Sequence, residues 1–214
     1  MINNAYQNNL GKAPSRLLNI EAVRQVGGLV HPFKGTLNFD WAELAGKEAM
    51  TYQILTQEGL LPKEPNGHGE WTRYVGVDRH RPTIKNLAQQ YQSPDVVWVP
   101  STMSKFMGSE EARKVGVLNF DSHNSIGREL KKEMSQLFPF AERQYQRCGS
   151  FLLILNVGRN GRAGESREKM TQWMAERINY YCKSNTYTKA QLMQCFYKSD
   201  KGTDMCNIHI PYGD

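Results

Sequence analysis

Apolar residues fall along this chain in short runs separated by polar, glycine-rich and proline-rich stretches. The longest run covers residues 151–157, broken only by Asn156 and bounded by Gly149 and Gly158. Such a run predicts a strand covered on both faces, around which the rest is organised. Shorter runs predict further strands over residues 71–77, 96–99 and 115–120, and a hairpin of 192–198 with 205–210 around Asp200, Lys201 and Gly202. Helical spacing predicts a helix over 18–26 ended by Gly27 and Gly28. A second is predicted over 40–59, where Asp40 and Glu43 resemble a capping box ahead of Trp41, Leu44, Ala45, Ala49, Ile54 and Leu55. Pro82 suits the first turn of a helix carrying Ile84, Leu87 and Tyr91. Short helices with Met103, Phe106 and Met107 follow. After a polar turn at 121–125, Leu130, Met134 and Leu137 mark a helix that Pro139 interrupts. Ser166 caps a predicted helix over 166–183, whose apolar face is Met170, Trp173, Met174, Ile178 and Tyr181.

Strands alternating with helices imply an α/β fold, or a mixed α+β one: a single domain over residues 18–214 with strand 151–157 central and a β-hairpin near residue 214, preceded by a mobile segment at 1–17. At 214 residues, 39% hydrophobic and 22% charged, the chain has an ordinary globular composition. The net charge of +6 changes the picture more, because it favours acidic partners: nucleic acid, DNA or RNA, or another acidic macromolecule. No window approaches the roughly 18 apolar residues of a membrane span, so no membrane partner is expected. Four scattered cysteines and no apolar leader predict a reducing, cytoplasmic setting.

The candidate chemistry follows that charge. The loop from Gly158 to Gly164 sets a glycine at every third position with Arg159 and Arg162 between them, and Arg167 opens the next helix; flexible backbone and guanidinium groups suit phosphate. The loop lacks the Gly-Lys-Ser/Thr end of a P-loop and a dinucleotide G-x-G-x-x-G, so no ATP, GTP or NAD cofactor is expected. Arg73, Arg79 and Arg81 interleave with Trp71, Tyr74 and His80 in a way that could stack on bases, and Arg143 and Arg147 give a basic approach to strand 151–157. Each group has a plainer reading, as a solvated loop or as core aromatics. Asp121 and His123 stand just past a predicted strand, where open sheets hold their chemistry, and are the catalytic candidates; helix capping is the competing role. Cys182, Cys195, Cys206 and His209 lack the paired spacing of a zinc site.

The strand, helix and hairpin ending in Asn207, Ile208, His209 and Ile210 resemble the core of HUH replication nucleases and relaxases. That family carries two histidines around one hydrophobic residue, followed by a helix with a catalytic tyrosine. Here a single histidine stands at that place, so nuclease activity does not carry over. The function expected is binding of nucleic acid or another phosphate-rich partner through the Gly/Arg loop and the aromatic-basic segment. The rivals are a metal-dependent hydrolase or nuclease using Asp121 and His123, and an adaptor for an acidic protein.

Overall fold

The computed structural model describes residues 13–125, 128–158, 172, 176, 193–198 and 204–213. Its elements are α1 (Ala13–Gln25), β1 (Asp40–Leu44), α2 (Met50–Gln57), β2 (Tyr74–Val77), α3 (Arg81–Gln90), β3 (Val96–Val99), α4 (Met103–Phe106), a 3-10 turn (Glu111–Lys114), β4 (Val115–Ser125), α5 (Arg128–Cys148), β5 (Phe151–Gly158), β6 (Met193–Lys198) and β7 (Asp204–Tyr212). The strands form one seven-stranded sheet in the order β3-β2-β1-β4-β5-β7-β6. The first five are parallel; β7 runs antiparallel to both β5 and β6.

Both faces of the sheet are covered, which is why the parallel strands read as nearly continuous apolar runs. On one face Ile20 and Val23 of α1, Ile54 and Leu55 of α2, and Ile84 and Leu87 of α3 pack against Trp41, Tyr74, Val117, Leu152 and Ile154. On the other, Met103 and Phe106 of α4 and Met134, Leu137 and Phe138 of α5 cover Ala42, Val75, Leu118, Leu153 and Ile208. The mixed α/β fold expected from the sequence is thus observed. Strand β5 lies inside the sheet between β4 and β7, with residues 151–157 all buried.

Several elements differ from expectation. The predicted helix over 40–59 is a strand and a helix: residues 40–44 are β1, and α2 starts only at Met50. Strand β4 continues through the polar residues 121–125. Helix α5 passes through Pro139 unbroken; Pro139 is exposed, so the ring and the unpaired carbonyl it leaves face water. Helix α1 starts at Ala13, inside the segment expected to be mobile. Of the helix predicted over 166–183, all but Gln172 and Glu176 lie outside the described residues, as do the Gly/Arg loop and the hairpin turn.

Candidate functional site at the carboxyl ends of β1 and β4

The chain builds β1, β2 and β3 outward in one direction and β4 and β5 in the other, so the strand order reverses between β1 and β4. At such a switch point the connections diverge and leave a crevice beyond the carboxyl ends of the strands. A cleft lies there, lined by Arg16 and Asn19 of α1, Glu43 of β1, residues 46–51 leading into α2, and Asn119, Asp121 and Asn156 of β4 and β5.

Its floor is a row of polar side chains on one face of the sheet. Register pairs Glu43 with Asn119, Asp121 with Asn156, and Asn156 with Asn207, and paired residues share a face. Glu43 is only 6% exposed. Its Oε1 accepts from the Tyr74 hydroxyl at 2.9 Å, and its Oε2 from Asn119 Nδ2 at 2.8 Å and Trp41 Nε1 at 3.3 Å. Asn119 Oδ1 accepts in turn from Asn156 Nδ2 at 2.8 Å. Burial pushes the Glu43 carboxyl up from its ordinary range, against the hydrogen bonds of Thr51, Asn119 and Tyr74 and the charge of Arg16. Burial and the adjacent Glu43 together hold the Tyr74 phenol well above its own ordinary value.

Between β1 and α2 the loop Ala45, Gly46, Lys47, Glu48, Ala49 crosses the cleft mouth. Ala49 sits in the left-handed region at φ 47°, and α2 has no side-chain cap. The loop is strapped at the Glu48 carbonyl, which accepts from Gln53 Nε2 at 2.6 Å and from the Tyr91 hydroxyl at 3.3 Å.

Of the residues singled out from sequence, Asp121 lines this cleft, while the side chain of His123 lies outside the described residues. Among the described residues no group of three or more His, Cys, Asp or Glu could hold a metal ion. The arginines do not gather. Arg79 and Arg81 are exposed just past the carboxyl end of β2. Arg73 stands at the opposite end of that strand, clamped on Asp40 at 2.9 Å. Arg143 and Arg147 are exposed on the last turns of α5, which approach the amino end of β5. Arg159, Arg162 and Arg167 lie outside the described residues.

The aromatic-basic segment is split in the same way: Tyr74 is core and bonded to Glu43, and His80 caps α3 through Thr83 N. Cys206 and His209 point to opposite faces of β7, Cys206 into the α5 side, so they cannot share an ion. His209 itself is buried, its Nε2 2.7 Å from Asn19 Oδ1, which removes the last ground for the HUH resemblance. Glu43, Asn119, Asn156 and Asn19 escaped the sequence reading as site residues; the signal for the first three was a polar residue inside an otherwise apolar strand, and nothing in the helix that carries Asn19 marked it.

The architecture is that of a doubly wound, Rossmann-like α/β protein, and solved structures share it over nearly the whole chain. A protein from Listeria monocytogenes assigned as an S-adenosylmethionine-dependent methyltransferase superposes with a TM-score of 0.51 at 7% identity, over 95% of this chain and 100% of that one. An antibiotic-related methyltransferase gives 0.50 at 8% identity, over 92% and 94%. A protein assigned as a methyltransferase and complexed with SAH gives 0.50 at 11%, over 94% of this chain and 49% of that one. No family model matches the sequence, and no curated protein matches it. At these identities the likeness establishes the fold. It also corrects the expected function: the structures sharing the fold bear methyltransferase names, which turns the reading away from a phosphate-binding Gly/Arg loop, a metal-dependent hydrolase or nuclease, and an acidic-protein adaptor. No helix among the described residues is long and apolar enough to cross a membrane.

Proposed function

We propose that the chain is an S-adenosylmethionine-dependent methyltransferase whose cofactor binds in the cleft between β1 and β4. The observation that carries this is the cleft's position at the switch point over a buried carboxylate, Glu43, on a fold shared with methyltransferases. The residues fit the cofactor. Asp78, half-buried at the carboxyl end of β2, suits ribose hydroxyls; Glu43 suits an ammonium group. The loop after β1 has a single glycine, but Ala45 and Ala49 are small, and Ala49 holds the left-handed turn that glycine adopts without strain. When bound, the cofactor supplies an electrophilic methyl group on a sulfonium sulfur.

In this reading Asp121 is the catalytic residue, taking a proton at a carboxylate oxygen from the acceptor's nucleophile, while Asn119 and Asn156 keep the polar floor in one geometry. Exposed Arg79 and Arg81 beyond β2 and the +6 charge suit an acidic acceptor, nucleic acid among them, as the substrate. Isothermal titration with S-adenosylhomocysteine tests the cofactor assignment: saturable 1:1 binding that is lost in Gly46→Trp is expected. Absence of binding to the wild-type chain would reject it.

A further inference from the structure

Helix α1 is joined to the sheet by a polar contact of unusual form. Asn19, 2% exposed, accepts two hydrogen bonds at the same oxygen, Oδ1: from Asn207 Nδ2 at 2.7 Å and from His209 Nε2 at 2.7 Å. Because Oδ1 can only accept, His209 must carry its proton on Nε2, and its Nδ1 is left buried without a partner. Burial lowers the His209 pKa to about 4, so the ring is neutral at pH 7. The Asn207 amide reaches the Ser15 carbonyl as well, at 3.5 Å. Asn19 also lines the cleft, so with its oxygen committed to β7 the NH2 is the group it has left to offer there. Arg16, three residues earlier and so on the same helical face, lines the cleft beside it.

A buried histidine with one nitrogen unpaired is a costly way to attach a helix, since an apolar residue there would pack without an orphaned acceptor. What the arrangement secures is the direction of the amide. We propose that α1 is the wall of the cleft that recognises the ligand's carboxylate: Asn19 Nδ2 and the Arg16 guanidinium are its donors, and His209 is a positioning residue that acts through Asn19. This rests on the methyltransferase reading, and it assigns the anionic end of the ligand to α1 rather than to the β1–α2 loop.

The test compares two ligands that share the nucleoside and the sulfur and differ in the aminocarboxylate. S-adenosylhomocysteine has it; 5′-methylthioadenosine does not. Asn19→Asp keeps the oxygen that His209 and Asn207 hold and replaces the NH2 with an acceptor. The expected result is about a tenfold or greater loss of affinity for S-adenosylhomocysteine, with affinity for 5′-methylthioadenosine unchanged at a temperature where melting shows the variant folded. His209→Leu should weaken the first ligand alone, with stability kept or raised, a separation that a merely structural histidine would not give. If the wild-type chain binds neither ligand, the methyltransferase reading falls and this inference with it. If it binds both, and the variants bind both as before or lose both equally, only the assignment of α1 is overturned.

Discussion

Strand β1 carries two buried carboxylates, three residues apart, and they are treated in opposite ways. Asp40, fully buried at the strand's start, is closed off by a cation: Arg73 places Nη2 at 2.9 Å and Nε at 3.3 Å from Oδ2, and its backbone N–H donates to Oδ1 at 2.8 Å. Glu43, near the strand's end, accepts from neutral groups alone: an indole, a phenol, a carboxamide and a threonine hydroxyl. Burial raises both carboxyls, but for Asp40 the Arg73 charge is the first counterweight, whereas for Glu43 the neutral hydrogen bonds come ahead of the charge of Arg16. The amino end of the sheet is therefore electrostatically finished. The carboxyl end holds a carboxyl bonded directly by neutral groups alone, which suits the cationic end of the cofactor proposed above.

The contrast can be broken most forcefully at Arg73. Arg73→Ala leaves Asp40 buried and unpaired, and urea unfolding at pH 7 should show a loss of about 3 to 5 kcal/mol. That deficit should shrink as pH falls, because the stranded carboxyl protonates. A pH-independent loss below about 1 kcal/mol would mean that Asp40 is not closed off by its arginine.

His209, one strand row further along the same face, extends the comparison to a buried base. Its folded pKa of about 4 lies below the ordinary 6.5, so the unfolded chain takes up the proton first. Stability should be intact above pH 6.5 and fall by about 3 kcal/mol as pH drops to 4, and His209→Leu should flatten that slope. Thermal melts across this window on both proteins decide it.

Glu43→Gln sharpens the contrast directly. With the folded carboxyl raised, the protonated form favours the fold at low pH, and that contribution is lost as pH rises through the folded value. Removing the charge should leave stability at pH 7 unchanged or higher by about 1 kcal/mol, while abolishing S-adenosylhomocysteine binding in titration calorimetry. A destabilised variant with full binding would make Glu43 a second structural carboxylate. Smallest is Ala49→Gly, expected to raise stability by less than about 1 kcal/mol as left-handed strain at the cleft mouth is relieved, partly offset by the entropy of glycine. Chemical denaturation at constant m-value would detect it.

These carboxylates also explain what could be read in the sequence. Strands β3, β4 and β5 were legible because burial on both faces leaves an apolar record, and α3 because Pro82 marks its start. Strand β1 was not: an Asp and a Glu three apart imitate a capping box, and hydropathy cannot distinguish a solvated carboxylate from one held by Tyr74 and Asn119. Asp121 was legible as a polar residue near a strand end, although β4 runs on to Ser125 and so holds it inside the strand. Asn19 and Asn156 were not, because a carboxamide becomes part of a site only through partners far away in the chain.

The order of strands in the sheet has a consequence for how the protein is made. Strand β7 is inserted between β5 and β6, so until residues 204–212 leave the ribosome the edge of β5 has nothing to pair with. Residues 159–203 must be synthesised first, which at about 5–20 residues per second is a delay of a few seconds. During that interval the most apolar strand of the chain is an open edge, and a nascent-chain chaperone or a slow codon placed within that stretch would act on the yield of folded protein without touching any contact in the finished fold.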